Sequence, residues 1–293
     1  MENIKNILRR VFMDKSIIIL FCIICLYSTT ISFARENEEK VVGIALSGGA
    51  AWGLAHIGVL EVLLENNIKI HVISGTSMGA IVGAFYAGGT KPQEMIDMAQ
   101  DTNWTDFIRP VISELGFFSI KRIEKFLKDE LKINEFSDLE IPLSVVATNL
   151  NTGEEVIFNE GAISPAISAS AAIPIIFEPV QYKGELLMDG GLVNYLPVNL
   201  LEDMGADIKI GVNVAGAFSF TGTPESKIEA GIRSYNILQK DRINPEEIDV
   251  LIEADLSGIR GIDFNSYEEI IEEGRRAAKE ALPNLKEVLG EKE

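Results

Sequence analysis

Between residues 41 and 89 the chain twice passes from a short apolar run, through a tight loop of small residues, into a helix. That rhythm limits the folds open to it. Residues 41–46 read as a buried strand, 47–53 as a glycine-rich turn, and 54–65 as a helix with Ile57, Leu60 and Leu64 on one face. Residues 68–74 form a second strand, and 78–87 a helix of small and apolar residues stopped by Gly88 and Gly89. Two such units in succession predict an α/β fold, with a mainly parallel central sheet and helices on both faces.

The remainder fits one domain over residues 35–293. The stretch 92–131 is helical but less regular, with Ile120, Ile123, Phe126, Leu127 and Leu131 on one face. Strands are expected at 143–147, 155–158, 208–214 and 249–254, and residues 185–188 lead into Asp189-Gly190-Gly191. Helices are expected at 163–172, ended by Pro174, from Pro197 to a stop at Gly205, and at 267–282, which closes the chain. Residues 215–226 read as an exposed loop, and no internal repeat is visible.

The first 34 residues read as an export signal. Lys5, Arg9, Arg10 and Lys15 precede an apolar run over residues 17–27, and Ser32-Phe33-Ala34 offers small residues at a cleavage site. Eleven residues rise only about 16 Å as a helix, short for a membrane span. The alternative is an uncleaved anchor, lengthened by the neighbouring Ser and Thr. Either way the protein is expected beyond the cytoplasmic membrane, anchored by residues 17–27 if the signal stays. Both cysteines, Cys22 and Cys25, lie in this segment, so the remaining chain offers no disulfide or thiolate metal site. Without it the chain carries 22 basic and 42 acidic residues, a balance of −20. Such a chain is a poor partner for nucleic acid and for adsorption to anionic lipid by charge alone.

Three segments carry the chemistry. Gly75-Thr76-Ser77-Met78-Gly79 is a Gly-x-Ser-x-Gly turn between a strand and a helix, the form of a nucleophile elbow, with Gly75 and Gly79 allowing a sharp turn and close packing. This composition produces the pattern by chance in roughly one chain in eight, so its weight comes from its context. A bland turn with Ser77 as an N-cap is the competing reading. The familiar hydrolase triad places a histidine after the serine. Here the only histidines, His56 and His71, both precede it.

The second segment, Ser47-Gly48-Gly49-Ala50-Ala51-Trp52-Gly53, can aim backbone N–H groups at an anion from a helix start. Oxyanion, phosphate and plain-turn readings all remain open for it on the residues alone, although ATP-loop and dinucleotide-loop spacings are absent. In the third, Leu187-Met188-Asp189-Gly190-Gly191, an aspartate precedes two glycines, ordinarily a turn. Without a histidine, a carboxylate within reach of a serine hydroxyl is a candidate base.

Together, and in this chain order, the three segments resemble the patatin-like phospholipase family, as do residues 46–60 and Ser170-Ala171-Ala172-Ile173-Pro174. The resemblance covers residues 41–201 and implies a three-layer fold. It implies a lipid acyl hydrolase with Ser77 as nucleophile, Asp189 as general base, and the N–H groups of Gly48, Gly49 and Ala50 as oxyanion hole. It implies no metal or organic cofactor, and as partners a phospholipid or other acyl-ester lipid at a membrane or micelle surface. Two departures stand out. Ala50 replaces the third glycine of the family's loop, and Trp52 replaces its cation. Alanine donates its N–H there only if the loop avoids positive φ. Trp52 offers an indole donor, an acyl-chain surface or plain packing. The alternatives are a soluble short-chain esterase, or a weak or inactive lipid-binding protein on the same scaffold. Trp104, Phe107, Ile108, Phe117 and Phe118 read as core or as an apolar entrance for lipid.

Overall fold

Strands form where the chain is apolar enough to be covered on both sides. β1 (Val42–Leu46), β2 (Val72–Thr76) and β3 (Leu143–Asn149) are buried at every residue, and β7 (Ile208–Asn213) at all but one. That is the signature of a sheet packed on both faces. With β4 (Glu155–Phe158), β5 (Val180–Tyr182), β6 (Glu185–Asp189) and β8 (Val250–Glu253) they make an eight-stranded sheet ordered β5-β6-β3-β2-β1-β7-β8, with β4 paired to β3. The run β3-β2-β1-β7-β8 is parallel throughout. β4, β5 and β6 pair antiparallel. The flanking helices are α1 (Ala55–Glu65), α2 (Met78–Ala87), α3 (Pro92–Asp101), α4 (Lys121–Glu130), α5 (Ile163–Ser170), α6 (Asn199–Asp203), α7 (Lys227–Gln239) and α8 (Tyr267–Leu289). The expected α/β architecture is therefore the observed one. This computed structural model describes residues 40–107, 110, 115–214, 223–224, 226–239 and 243–290. The export signal, Ile108 and most of the loop expected at 215–226 lie outside them.

Register brings the distant motifs together. Val145 and Val146 of β3 pair with β2 on one edge and with β4 on the other. Ala147 and Thr148 pair with β4 and also with β6, so β6 shares the β2 edge, just past the end of β2. Thr76 lies opposite Val146, and Asp189 lies opposite Ala147. Thr76 and Asp189 thus take consecutive places along one edge of β3, and Ser77 is the residue that follows Thr76. On the other side of β2, Leu46 pairs with Gly75, which sets the loop after β1 beside the serine turn.

Several elements differ from expectation, and β5 (Val180–Tyr182) was not read from the sequence. β2 starts at Val72 rather than 68, because Ile68 and Ile70 are buried as a connecting segment before the chain joins the sheet. α8 continues through Pro283 to Leu289, since Leu285 beyond the proline is buried and tertiary packing outweighs one lost backbone bond. α7, over residues 227–239, was not read from the sequence. Its sequence carries Gly231 and three β-branched isoleucines at 228, 232 and 237, and has little net hydrophobic face.

Candidate active site

The elbow depends on two missing side chains. A Cβ on Gly79 would lie 2.3 Å from the Leu46 carbonyl oxygen, and one on Gly75 would lie 2.8 Å from the Gly79 backbone. Glycine at both lets α2 start directly against β1 and β2. Between them Ser77 has φ 55° and ψ −122°, a conformation that costs a non-glycine residue about 1–3 kcal/mol. Its N–H donates to Ser170 Oγ at 2.8 Å, and Thr76 Oγ1 donates to the Asn194 carbonyl at 2.8 Å. Ser77 does not cap α2 with its side chain, so the competing N-cap reading of this serine fails.

Asp189 is fixed from three sides. Its N–H donates to the Ala172 carbonyl at 2.9 Å, and its own carbonyl accepts from Thr148 Oγ1 at 2.8 Å. Its carboxylate Oδ1 accepts from Gly191 N at 2.8 Å and from the Tyr235 hydroxyl at 2.9 Å. A Cβ on Gly191 would lie 2.2 Å from that hydroxyl, so the second glycine makes room for the tyrosine. Asp189 is 1% exposed, and burial raises its pKa from 3.8 to about 6, against the opposing pull of Ser77, Gly191 and Tyr235. The Ser77 side chain is near enough to favour the ionised carboxylate, yet Oδ2 has no partner in hydrogen-bond geometry among the described residues. Serine and aspartate are neighbours without a closed hydrogen bond, a common state of catalytic pairs before substrate binds.

The loop after β1 meets the serine closely: a Cβ on Gly48 would lie 3.4 Å from Ser77 Cβ. Of the three expected donors, one is already used. Gly48 N donates to the Tyr195 carbonyl at 3.1 Å, while the Tyr195 hydroxyl donates to the Gly48 carbonyl at 2.6 Å. The sequence reading of Gly48 as an oxyanion donor is therefore corrected, because its N–H is committed within the fold. Gly49 N and Ala50 N take part in no hydrogen bond among the described residues. Ala50 has φ 48°, so the loop does adopt the left-handed conformation that favours glycine, at about 1–2 kcal/mol for alanine.

Other candidates fall into packing roles. Trp52 is buried, its indole N–H donates to the Ile259 carbonyl at 2.9 Å, and a Cβ on Gly261 would touch its ring at 3.3 Å. That N–H cannot serve an oxyanion. His56 is fully buried with Nε2 2.9 Å from the Ser47 carbonyl, and burial lowers its pKa to about 4. A neutral imidazole donating to that carbonyl steadies the glycine loop from below. Trp104 stacks on Phe264, Phe107 meets Phe126 edge-on, and Phe118 is buried, while Phe117 is 55% exposed. Among the described residues, no group of three or more His, Cys, Asp or Glu could hold a metal ion. Sequence reasoning gave no role to Ser170 or Tyr235. The Ser170 segment was visible as part of a motif, but Tyr235 carries no local signal.

Residues 44–201, just over half the chain, match the family described as patatin-like phospholipase. An uncharacterized NTE family protein of Mycobacterium tuberculosis is 36% identical over 186 residues, covering 62% of this chain and 51% of that protein. The patatin-like phospholipase domain-containing protein 7 of Rattus norvegicus is 27% identical over 193 residues, covering 62% of this chain and 14% of that protein. The chain thus spans about half the length of its mycobacterial relatives. VipD from Legionella pneumophila shares the fold at 14% identity and a TM-score of 0.55, over 84% of this chain and 67% of VipD. The matched span holds the glycine loop, the serine elbow and the Asp-Gly-Gly turn, the segments that the sheet register gathers around the end of β2. The chain belongs to the patatin-like phospholipase family.

Proposed function

We propose that the chain is a serine lipid acyl hydrolase, of the phospholipase A or lysophospholipase kind, working through a Ser77–Asp189 dyad. One observation carries the reading: Asp189 Oδ1 is saturated by Gly191 and Tyr235, and Oδ2 is left open beside Ser77. Ser77 Oγ attacks the carbonyl carbon of a fatty-acyl ester as its proton passes to Asp189. The carbonyl oxygen becomes an oxyanion facing Gly49 N and Ala50 N. Collapse breaks the ester C–O bond, and the departing alkoxide takes the proton from Asp189. Water then attacks the acyl-enzyme, giving its proton to Asp189, and Ser77 leaves protonated as the fatty acid is released. A base with a pKa near 6 is ionised at neutral pH and still basic enough to accept a proton. The relatives named as patatin-like phospholipases support lipid as the substrate class.

The test is release of free fatty acid from phosphatidylcholine in mixed micelles. Turnover by the wild type that disappears in Ser77→Ala supports the reading, and turnover that persists in Ser77→Ala refutes it. The strained Ala50 and the lost cation favour the second reading, a slow or lipid-binding relative. In that case lipid co-purifies unhydrolysed. Export by residues 1–34 is part of the same proposal, and N-terminal sequencing of the exported protein checks it.

A further inference from the structure

Beside the site the surface contains a group of residues that are locally unfavourable for the fold alone. Ile175 is 65% exposed and has φ 72°, a left-handed conformation that a β-branched residue rarely takes. Its carbonyl accepts from Phe117 N at 3.2 Å, so the 55%-exposed Phe117 lies alongside it, while Phe118 and Ile176 turn inward. This apolar pair is close to the chemistry. Ile175 follows by three residues Ala172, whose carbonyl holds Asp189 N, a reach of at most about 11 Å between α-carbons.

Four residues beyond Phe117, Lys121 and Arg122 occupy the first turn of α4, both exposed. Cations there oppose the positive end of the helix dipole. Later in the helix Lys125 pairs with Asp129 and Lys128 with Glu124, but no carboxylate pairs with Lys121 or Arg122 among the described residues. In a chain with net charge −18, two cations without a carboxylate partner, four and five residues after an exposed phenylalanine, form a local exception. Apolar side chains flanked by cations match a phospholipid layer, with acyl chains beyond and phosphates at the level of the charges.

We propose that Phe117 and Ile175 insert into a phospholipid layer while Lys121 and Arg122 contact its phosphates, docking the protein with its serine site toward the lipid. The inference rests on the hydrolase reading for its purpose but not for its test. The full chain carrying Ser77→Ala, which consumes no lipid, receives Phe117→Trp. It is mixed with phosphatidylcholine–phosphatidylglycerol vesicles, with and without brominated acyl chains. The tryptophan at position 117 shifts its emission to the blue and is quenched by the brominated chains beyond the Trp52 and Trp104 background. Ile175→Ser weakens this binding roughly tenfold. Lys121→Gln and Arg122→Gln weaken it roughly fivefold each at low salt. Absence of added quenching at position 117 overturns the proposal, as does binding indifferent to all three further changes. So does a dimer in free solution that Ile175→Ser dissociates, which would assign the surface to a second copy of the chain. Soluble-ester turnover, measured with Ser77 intact, stays unchanged in Ile175→Ser. Its absence from the wild type would count against the hydrolase reading alone.

Discussion

Replacing Asp189 by Asn isolates the free energy stored in the buried base. In the unfolded chain this carboxyl ionises near 3.8, and in the fold near 6. Below the lower value it is protonated in both states and burial costs nothing electrostatic. As pH rises from about 4 to about 6 the unfolded chain ionises first, so folding loses stability, and above that the loss is constant. At about 1.4 kcal/mol per pH unit, the rise corresponds to about 3 kcal/mol as an upper bound. The amide in Asp189→Asn does not ionise, and its Oδ1 keeps the bonds from Gly191 N and the Tyr235 hydroxyl. The assay is urea unfolding of both proteins, followed by Trp52 and Trp104 fluorescence, near pH 4 and near pH 7.5. Other carboxylates cancel in the difference. The variant's advantage should grow by up to about 3 kcal/mol from the acid to the neutral condition, a midpoint shift of about 1 M urea. Catalysis meanwhile falls by at least about a thousandfold. An advantage that is independent of pH, or that grows toward acid, would refute the raised pKa.

Tyr235→Phe removes one of the donors that favour the ionised Asp189, so the acid limb of soluble-ester turnover, near pH 6 in the wild type, should move upward. Titrating kcat/KM against pH checks this, and an unmoved limb contradicts it. Ser170→Ala strips the acceptor from the buried Ser77 N–H and should cost about 1–3 kcal/mol in urea unfolding. Turnover should fall at least about tenfold because the elbow loses its hold. Ala50→Gly relieves a left-handed alanine and should stabilise the fold by up to about 1 kcal/mol with turnover equal or higher. A stability loss in that variant would mean the loop does not need positive φ.

Much of this site was legible because its parts lie at the ends of strands. The glycine loop, the elbow and the Asp-Gly-Gly turn each sit where an apolar run stops, and the parallel rhythm implied that the first two share one end of the sheet; β6 runs antiparallel to β3, so the third joins them only through its register. The register that seats β6 past the end of β2 could not be read, because it depends on pairing between residues about 40 apart in the chain. Gly48 shows a second limit. Its type and place suited an oxyanion donor, but the Tyr195 carbonyl that claims its N–H comes from a segment 147 residues away. The tyrosine on Asp189 belongs to a helix with weak amphipathic pattern, and only the space left by Gly191 hints that something must fill it. Of the aromatic group 104–118, sequence periodicity could not separate Phe118, which turns inward, from Phe117, which faces out.

The central claim is that Ser77 is activated by Asp189. Intact-mass measurement after exposure to a fluorophosphonate probe tests it most directly, with Ser77→Ala and Asp189→Asn treated in parallel. The account predicts one adduct on the wild type, none on the Ser77 variant, and much slower labelling of the Asp189 variant. A folded wild-type protein that takes up no probe, or that labels as fast without Asp189, would contradict it.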